Sequence, residues 1–85
     1  MERMTEQDRT GRIHDLEVTL WVGKNGLDPV VDELADQLSN EDLVKVKFLR
    51  AARGGTTTED LAADLADRVD ADLVETRGHT AVLAR

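Results

Sequence analysis

The segment Trp21-Val22-Gly23-Lys24-Asn25-Gly26-Leu27-Asp28-Pro29 joins a β-like run to a helix start, and the architecture can be read outward from it. On its N-terminal side, Val18 to Val22 is a run of strand-forming residues. On its C-terminal side, Asp28 followed by Pro29 reads as an N-cap carboxylate and then a proline at the first helical position, where a missing N–H costs nothing. Val30, Val31, Leu34, Ala35 and Leu38 then recur at helical spacing and leave Asp32, Glu33 and Asp36 on the opposite face. Between strand and helix, Gly23 and Gly26 allow a tight turn. They also allow a ligand's backbone to come close, since no Cβ intervenes.

The same alternation of elements continues downstream. From Leu43 to Leu49, Val44, Val46 and Phe48 alternate with Lys45 and Lys47, the period of a half-buried strand. Leu61, Ala62, Leu65, Ala66 and Val69 form a second helical stripe. Thr57 or Thr58 can cap it, and Glu59 and Asp60 fall in its first turn. Leu73–Arg77 and Thr80–Ala84 flank Gly78-His79 and read as a hairpin. Arg50–Thr57, with Gly54-Gly55, is expected to be a mobile basic loop. Residues 1–12 are expected to be a weak helix or a disordered lead-in to a single domain over 13–85. With right-handed crossovers, the order (α)βαβαββ makes a two-layer α/β domain with a mixed four-stranded sheet.

Composition narrows the function classes. A chain of 85 residues holds one domain with a small core. There is no cysteine, which excludes disulfides and thiolate chemistry. No apolar run approaches the ~20 residues of a membrane span, and the first residues lack a signal peptide's apolar stretch; a cytoplasmic location and a monomer are expected. Ser39 is the only serine, and His14 and His79 have no carboxylate at motif spacing, so no catalytic constellation assembles. Neither an enzyme activity nor a cofactor is expected. The Asp pairs read as solvated helix surface, with no metal role.

The formal net charge is −7, which taken alone argues against nucleic acid. The charge is nevertheless partitioned. Residues 28–42 carry −6 and 59–72 carry −5, whereas 43–58 carry Lys45, Lys47, Arg50 and Arg53 with no acid, +4. Asp outnumbers Glu 11 to 7 and Arg outnumbers Lys 8 to 3, a balance expected of a protein kept hydrated in a salt-rich cytosol.

The Gly-Lys-Asn-Gly loop is neither a phosphate-binding P-loop nor a dinucleotide fingerprint, because the Gly-Lys-Ser/Thr ending and the third glycine are missing. It does match the Gly-x-x-Gly loop with which KH-type domains clamp an RNA backbone. Loop N–H groups can face an anion and Lys24 adds a point charge; as an N-cap, Asp28 would compete for those donors. Gly23, Lys24, Asn25 and Gly26 are thus the first candidate site. Lys45 and Lys47 share one sheet face and are expected to be exposed toward the loop. Arg50 and Arg53 could wrap RNA from their loop, and Arg77 and His79 could add contacts from the hairpin. Trp21 could stack on a base, but in a chain with one other aromatic it is expected rather to pack. His14 reads as structural.

Three motifs carry a wider resemblance: Leu20-Trp21-Val22-Gly23-Lys24-Asn25-Gly26-Leu27, Asp42-Leu43-Val44-Lys45-Val46-Lys47, and Leu73 to Leu83 with its Gly78-His79-Thr80 turn. In order and register over residues 13–85 they resemble the stand-alone YhbY-like proteins of the CRM family (chloroplast RNA splicing and ribosome maturation). The Gly-His-Thr hairpin resembles the archaeal branch, in keeping with the halophilic composition. The resemblance implies the fold of the C-terminal domain of bacterial initiation factor three. It also implies RNA binding and a role in ribosome biogenesis on large-subunit precursors. Two departures stand out: a short, polar N-terminal segment, and Leu83-Ala84-Arg85 where the family usually has a tyrosine before the arginine. The competing expectation is a protein-interaction module whose acidic helices meet a basic partner.

Overall fold

The computed structural model describes residues 16–85; the expected lead-in over 1–12, and His14, lie outside the described residues. Seven elements follow in order: β1 (Val18–Val22), α1 (Asp28–Asn40), β2 (Leu43–Phe48), a 3₁₀ turn (Arg50–Ala52), α2 (Thr58–Arg68), β3 (Asp72–Arg77) and β4 (Thr80–Ala84). The four strands form one mixed sheet in the order β1-β2-β4-β3. β1 and β2 pair in parallel, while β4 runs antiparallel to both of its neighbours. The expected two-layer α/β architecture is what forms.

The sheet's pleat sorts the side chains. Leu20 and Val22 of β1, Val44, Val46 and Phe48 of β2, and Ala81 and Leu83 of β4 are buried against Val30, Leu34 and Leu38 of α1 and Ala62, Leu65 and Ala66 of α2. The two helical stripes expected from periodicity are therefore the core-facing ones, except that Ala35 is exposed at the margin of the first. Each fully buried aliphatic or aromatic side chain of this layer contributes roughly 1.5–3 kcal/mol over an exposed one. A second, smaller cluster lies on the other face: Leu43, Val82 and Ala84, with Leu16 and Val74 packed against them.

Helix starts differ in how they are capped. Thr57 caps α2, its hydroxyl accepting from the Asp60 N–H at 3.1 Å. The start of α1 departs from the sequence expectation. Leu27 is the N-cap, already in the helical region and without a side-chain cap, and Asp28 stands inside the helix. The Asp28 carboxylate instead accepts from Arg68 at the end of α2, which also bonds Asp64. These two carboxylates, Asp28 first, hold the Arg68 guanidinium above its ordinary value. Arg85 ties the chain's end to the α1–β2 connection through Asp42 at 2.8 Å and the Ser39 carbonyl at 3.2 Å.

The segment after β2 is also more structured than a mobile loop. Ala52 and Arg53 donate backbone bonds to Leu49 and Arg50, and Thr56 donates to Arg53. The Arg53 Nε holds the Phe48 carbonyl at 3.1 Å. At the far end, Gly78 has φ +58° and His79 is not left-handed, which marks a type II′ hairpin turn.

Phe48 is completely buried, whereas Trp21 is 53% exposed. Phe48→Ala should therefore lower the unfolding free energy by about 3–5 kcal/mol, and Trp21→Ala by no more than about 1 kcal/mol. Urea unfolding followed by circular dichroism compares the two.

Candidate nucleic-acid interface

The topology brings three connections to one edge of the sheet. Because β1, β2 and β3 run in one direction and β4 in the other, residues 23–27, residues 49–57 and the hairpin turn all leave the sheet on the same side. Backbone bonds tie them down there. Leu49 N–H donates to Val22 at 2.8 Å and extends the β1–β2 ladder, while Phe48 N–H donates to His79 at 2.8 Å and anchors the hairpin tip to β2.

Within the glycine loop, the Gly26 N–H donates to the Gly23 carbonyl at 3.0 Å, closing a turn whose central residues are Lys24 and Asn25. Both are exposed and neither is left-handed, the backbone of a type I turn. The two glycines are there for different reasons. Gly26 has φ +76°, a conformation that strains an L side chain. Gly23 has no such φ, and a Cβ built on it would meet only Leu49 Cδ1, at 3.9 Å, an ordinary contact. Among the described residues nothing requires residue 23 to lack a side chain, so its openness is available to a group approaching from outside.

Six cations surround this edge or line the sheet face leading to it: Lys24, Lys45, Lys47, Arg50, Arg53 and Arg77. Among the described residues none of the six has a carboxylate within salt-bridge distance, whereas Arg68 and Arg85 are ion-paired. Lys24, Lys47, Arg50, Arg77 and His79 are exposed. Lys45 is only half-buried rather than fully exposed, because its strand neighbour Val82 belongs to the small apolar cluster on that face. Arg53 is half-buried too, with its Nε committed to Phe48. Trp21 belongs to neither apolar cluster; the expected packing role is not what the fold gives it.

Most of the acids lie on the helical layer. Glu75 and Asp72 are on the sheet face, and Asp28, Glu59 and Asp60 are in the helix turns that follow the basic connections. Asp32, Glu33 and Asp36 of α1 and Glu59, Asp60, Asp64 and Asp67 of α2 are all exposed on the helical layer. A groove of ≈ 520 Å³ at the opposite end of the molecule includes Glu17, Asp36 and Glu41 in its lining and contains none of the candidate residues. Among the described residues no group of three His, Cys, Asp or Glu could hold a metal, and no helix is long and apolar enough to cross a membrane. Two residues at the basic edge were missed by sequence reasoning. Leu49 is 40% exposed beside Gly23; its parity opposite to Val44, Val46 and Phe48 was the available signal. Thr80 pairs with both Lys47 and Arg77.

A strand–Gly-x-x-Gly–helix unit leading into a mixed four-stranded sheet defines a class that comparison with known proteins identifies. The chain belongs to the CRS1/YhbY (CRM) domain family, whose model matches residues 3–85. Among curated proteins it is 38% identical over 74 residues to the Probable RNA-binding protein MJ0652 of Methanocaldococcus jannaschii. That match covers 87% of this chain and 55% of the relative, so the chain spans just over half of that protein's length. Among solved structures, the hypothetical protein SAV1595 from Staphylococcus aureus, itself proposed to bind RNA, superposes with a TM-score of 0.71 at 26% identity. The superposition covers 91% of this chain and 78% of that one.

The glycines make a paired prediction. Gly26→Ala should cost about 1–2 kcal/mol of stability through its left-handed backbone, while Gly23→Ala should stay within about 0.5 kcal/mol of the parent. Thermal unfolding of the two variants measures the difference.

Proposed function

We propose that the protein is an RNA-binding accessory factor that recognises RNA by its backbone, with structured or precursor ribosomal RNA of the large subunit as its target. The observation that carries this reading is the set of six cations at one edge and the adjoining sheet face that have no carboxylate partner among the described residues, in a chain whose other charge is overwhelmingly acidic. A protein of net charge −7 can bind a polyanion only if its positive charge is gathered and its negative charge turned away. The names of the relative and of the structural neighbour support the RNA-binding part of this reading.

In this mechanism the phosphate backbone enters over Gly23, where no Cβ stands in its way, and meets the exposed Lys24 and Asn25 at the turn. Lys47, Arg50 and Arg77 neutralise neighbouring phosphates, with Lys45 and His79 at the margins. Arg53 contributes its remaining guanidinium N–H groups while its Nε keeps the 49–53 segment in place. None of these contacts reads a base edge, so they position the RNA without choosing its sequence.

The excess acid on the helices fits a protein working in a salt-rich cytosol. At about 1 M salt the Debye length is only ~3 Å, and counterion release drives little binding. Affinity there rests on close fit and direct hydrogen bonds.

Reversing the loop's charge with Lys24→Asp and Asn25→Asp should lower affinity for ribosomal RNA fragments by at least about tenfold, with the circular dichroism spectrum unchanged. Reversing Asp32 and Asp36 should leave RNA affinity nearly intact. Survival of binding in the first variant contradicts the loop assignment, and loss in the second points to the acidic helices. Above 1 M salt the log–log dependence of affinity on salt should be shallow; a steep slope there contradicts the salt-adapted mechanism.

A further inference from the structure

We infer that the RNA held at this edge is unpaired, and that one of its bases stacks on Trp21 while its backbone crosses the sheet over Lys47, Thr80 and Arg77. This rests on the RNA-binding reading above and adds the class of RNA. Leu20 and Val22 face the helices, so Trp21 projects from the opposite face, two residues before the glycine loop. Strand register then sets its neighbours. Trp21 pairs with Lys47, Lys47 with Thr80, and Thr80 with Arg77. Directly paired residues share a face, and four strands about 4.8 Å apart make a row roughly 14 Å long.

Charge falls with distance from the loop. The row nearest it carries Lys47 and Arg77 with no acid. One step further, Lys45 is offset by Glu75 across Val82, and beyond that Leu43 and Ala84 are followed by Asp72. A polyanion on this face is therefore confined to the row that begins at Trp21. At the centre of that row, Thr80 donates its hydroxyl to the Arg77 carbonyl at 2.8 Å, leaving the hydroxyl oxygen free to accept from a ribose.

The ring itself selects the RNA. Tryptophan is highly buried on average, yet this one is 53% exposed beside the phosphate-binding loop. In a duplex both faces of each base are covered by its neighbours, so a side chain can stack only on a base that is splayed out. A loop that holds phosphates tolerates paired and unpaired RNA alike; an exposed indole at its entrance favours the unpaired form.

Trp21 is the only tryptophan, so its fluorescence reports on the site alone. The full chain is titrated with an unstructured 12-nucleotide RNA and with the duplex that this RNA forms with its complement. The single strand should quench the fluorescence and bind at least about tenfold more tightly than the duplex. Trp21→Ala should weaken single-strand binding about tenfold, the effect of one stacked base, while Trp21→Phe should retain most of the affinity. Circular dichroism checks that both variants are folded. Binding that depends on Lys24 but shows no quenching, no loss in Trp21→Ala and no preference over duplex overturns the stacking and leaves the RNA reading standing. Binding of neither RNA overturns both.

Discussion

The central strand β2 must bury Val44, Val46 and Phe48 beneath two helices, and most of the rest of the molecule follows from that requirement. Strand parity leaves Lys45, Lys47 and Leu49 no place in the helical layer. Pairing of β2 with β1 on one side and β4 on the other carries the same sorting across the sheet, so Trp21 and Thr80 take the face of Lys47. The burial that stabilises the fold thus also lines up the groups that a ligand would meet.

Topology then separates the charges. Helices α1 and α2 connect strands whose C-terminal ends share an edge, and their outer faces carry the acids away from the sheet's other face. The one basic residue near the end of α2, Arg68, is consumed by Asp28 and Asp64. The negative net charge and a gathered basic edge coexist because most of the acid lies on the helical layer and the sheet-face acids Glu75 and Asp72 stand away from the row of Lys47 and Arg77. Their mutual attraction is weakened further by any salt-rich solvent.

Much of this was legible in the sequence where a local rule decides. The bounds of β1 and β4, the two helical stripes, the hairpin at Gly78-His79 and the parity of β2 each follow from a period or a turn residue. The departures come from partners distant in the chain or the fold. Asp28 has the chemistry of an N-cap, but its carboxylate pairs with an arginine 40 residues away. Arg50–Thr57 has the composition of a mobile loop, yet Arg53 folds back on the Phe48 carbonyl. Lys45 is half-buried because of Val82, and the residues of that small cluster could not be grouped before the strand order was known. Trp21 is the sharpest case. Its scarcity suggested packing, whereas its register placed it on the outer face, and only the fold distinguishes a spare aromatic from an available one.

The most direct test of the account is a map of amide chemical-shift changes when an isotopically labelled sample is titrated with a short ribosomal RNA fragment. The perturbed amides should cluster at residues 21–26, 47–53 and 77–80, with the outer faces of α1 and α2 silent. Perturbations concentrated on Asp32, Asp36, Asp60, Asp64 and Asp67, with a silent glycine loop, would contradict it.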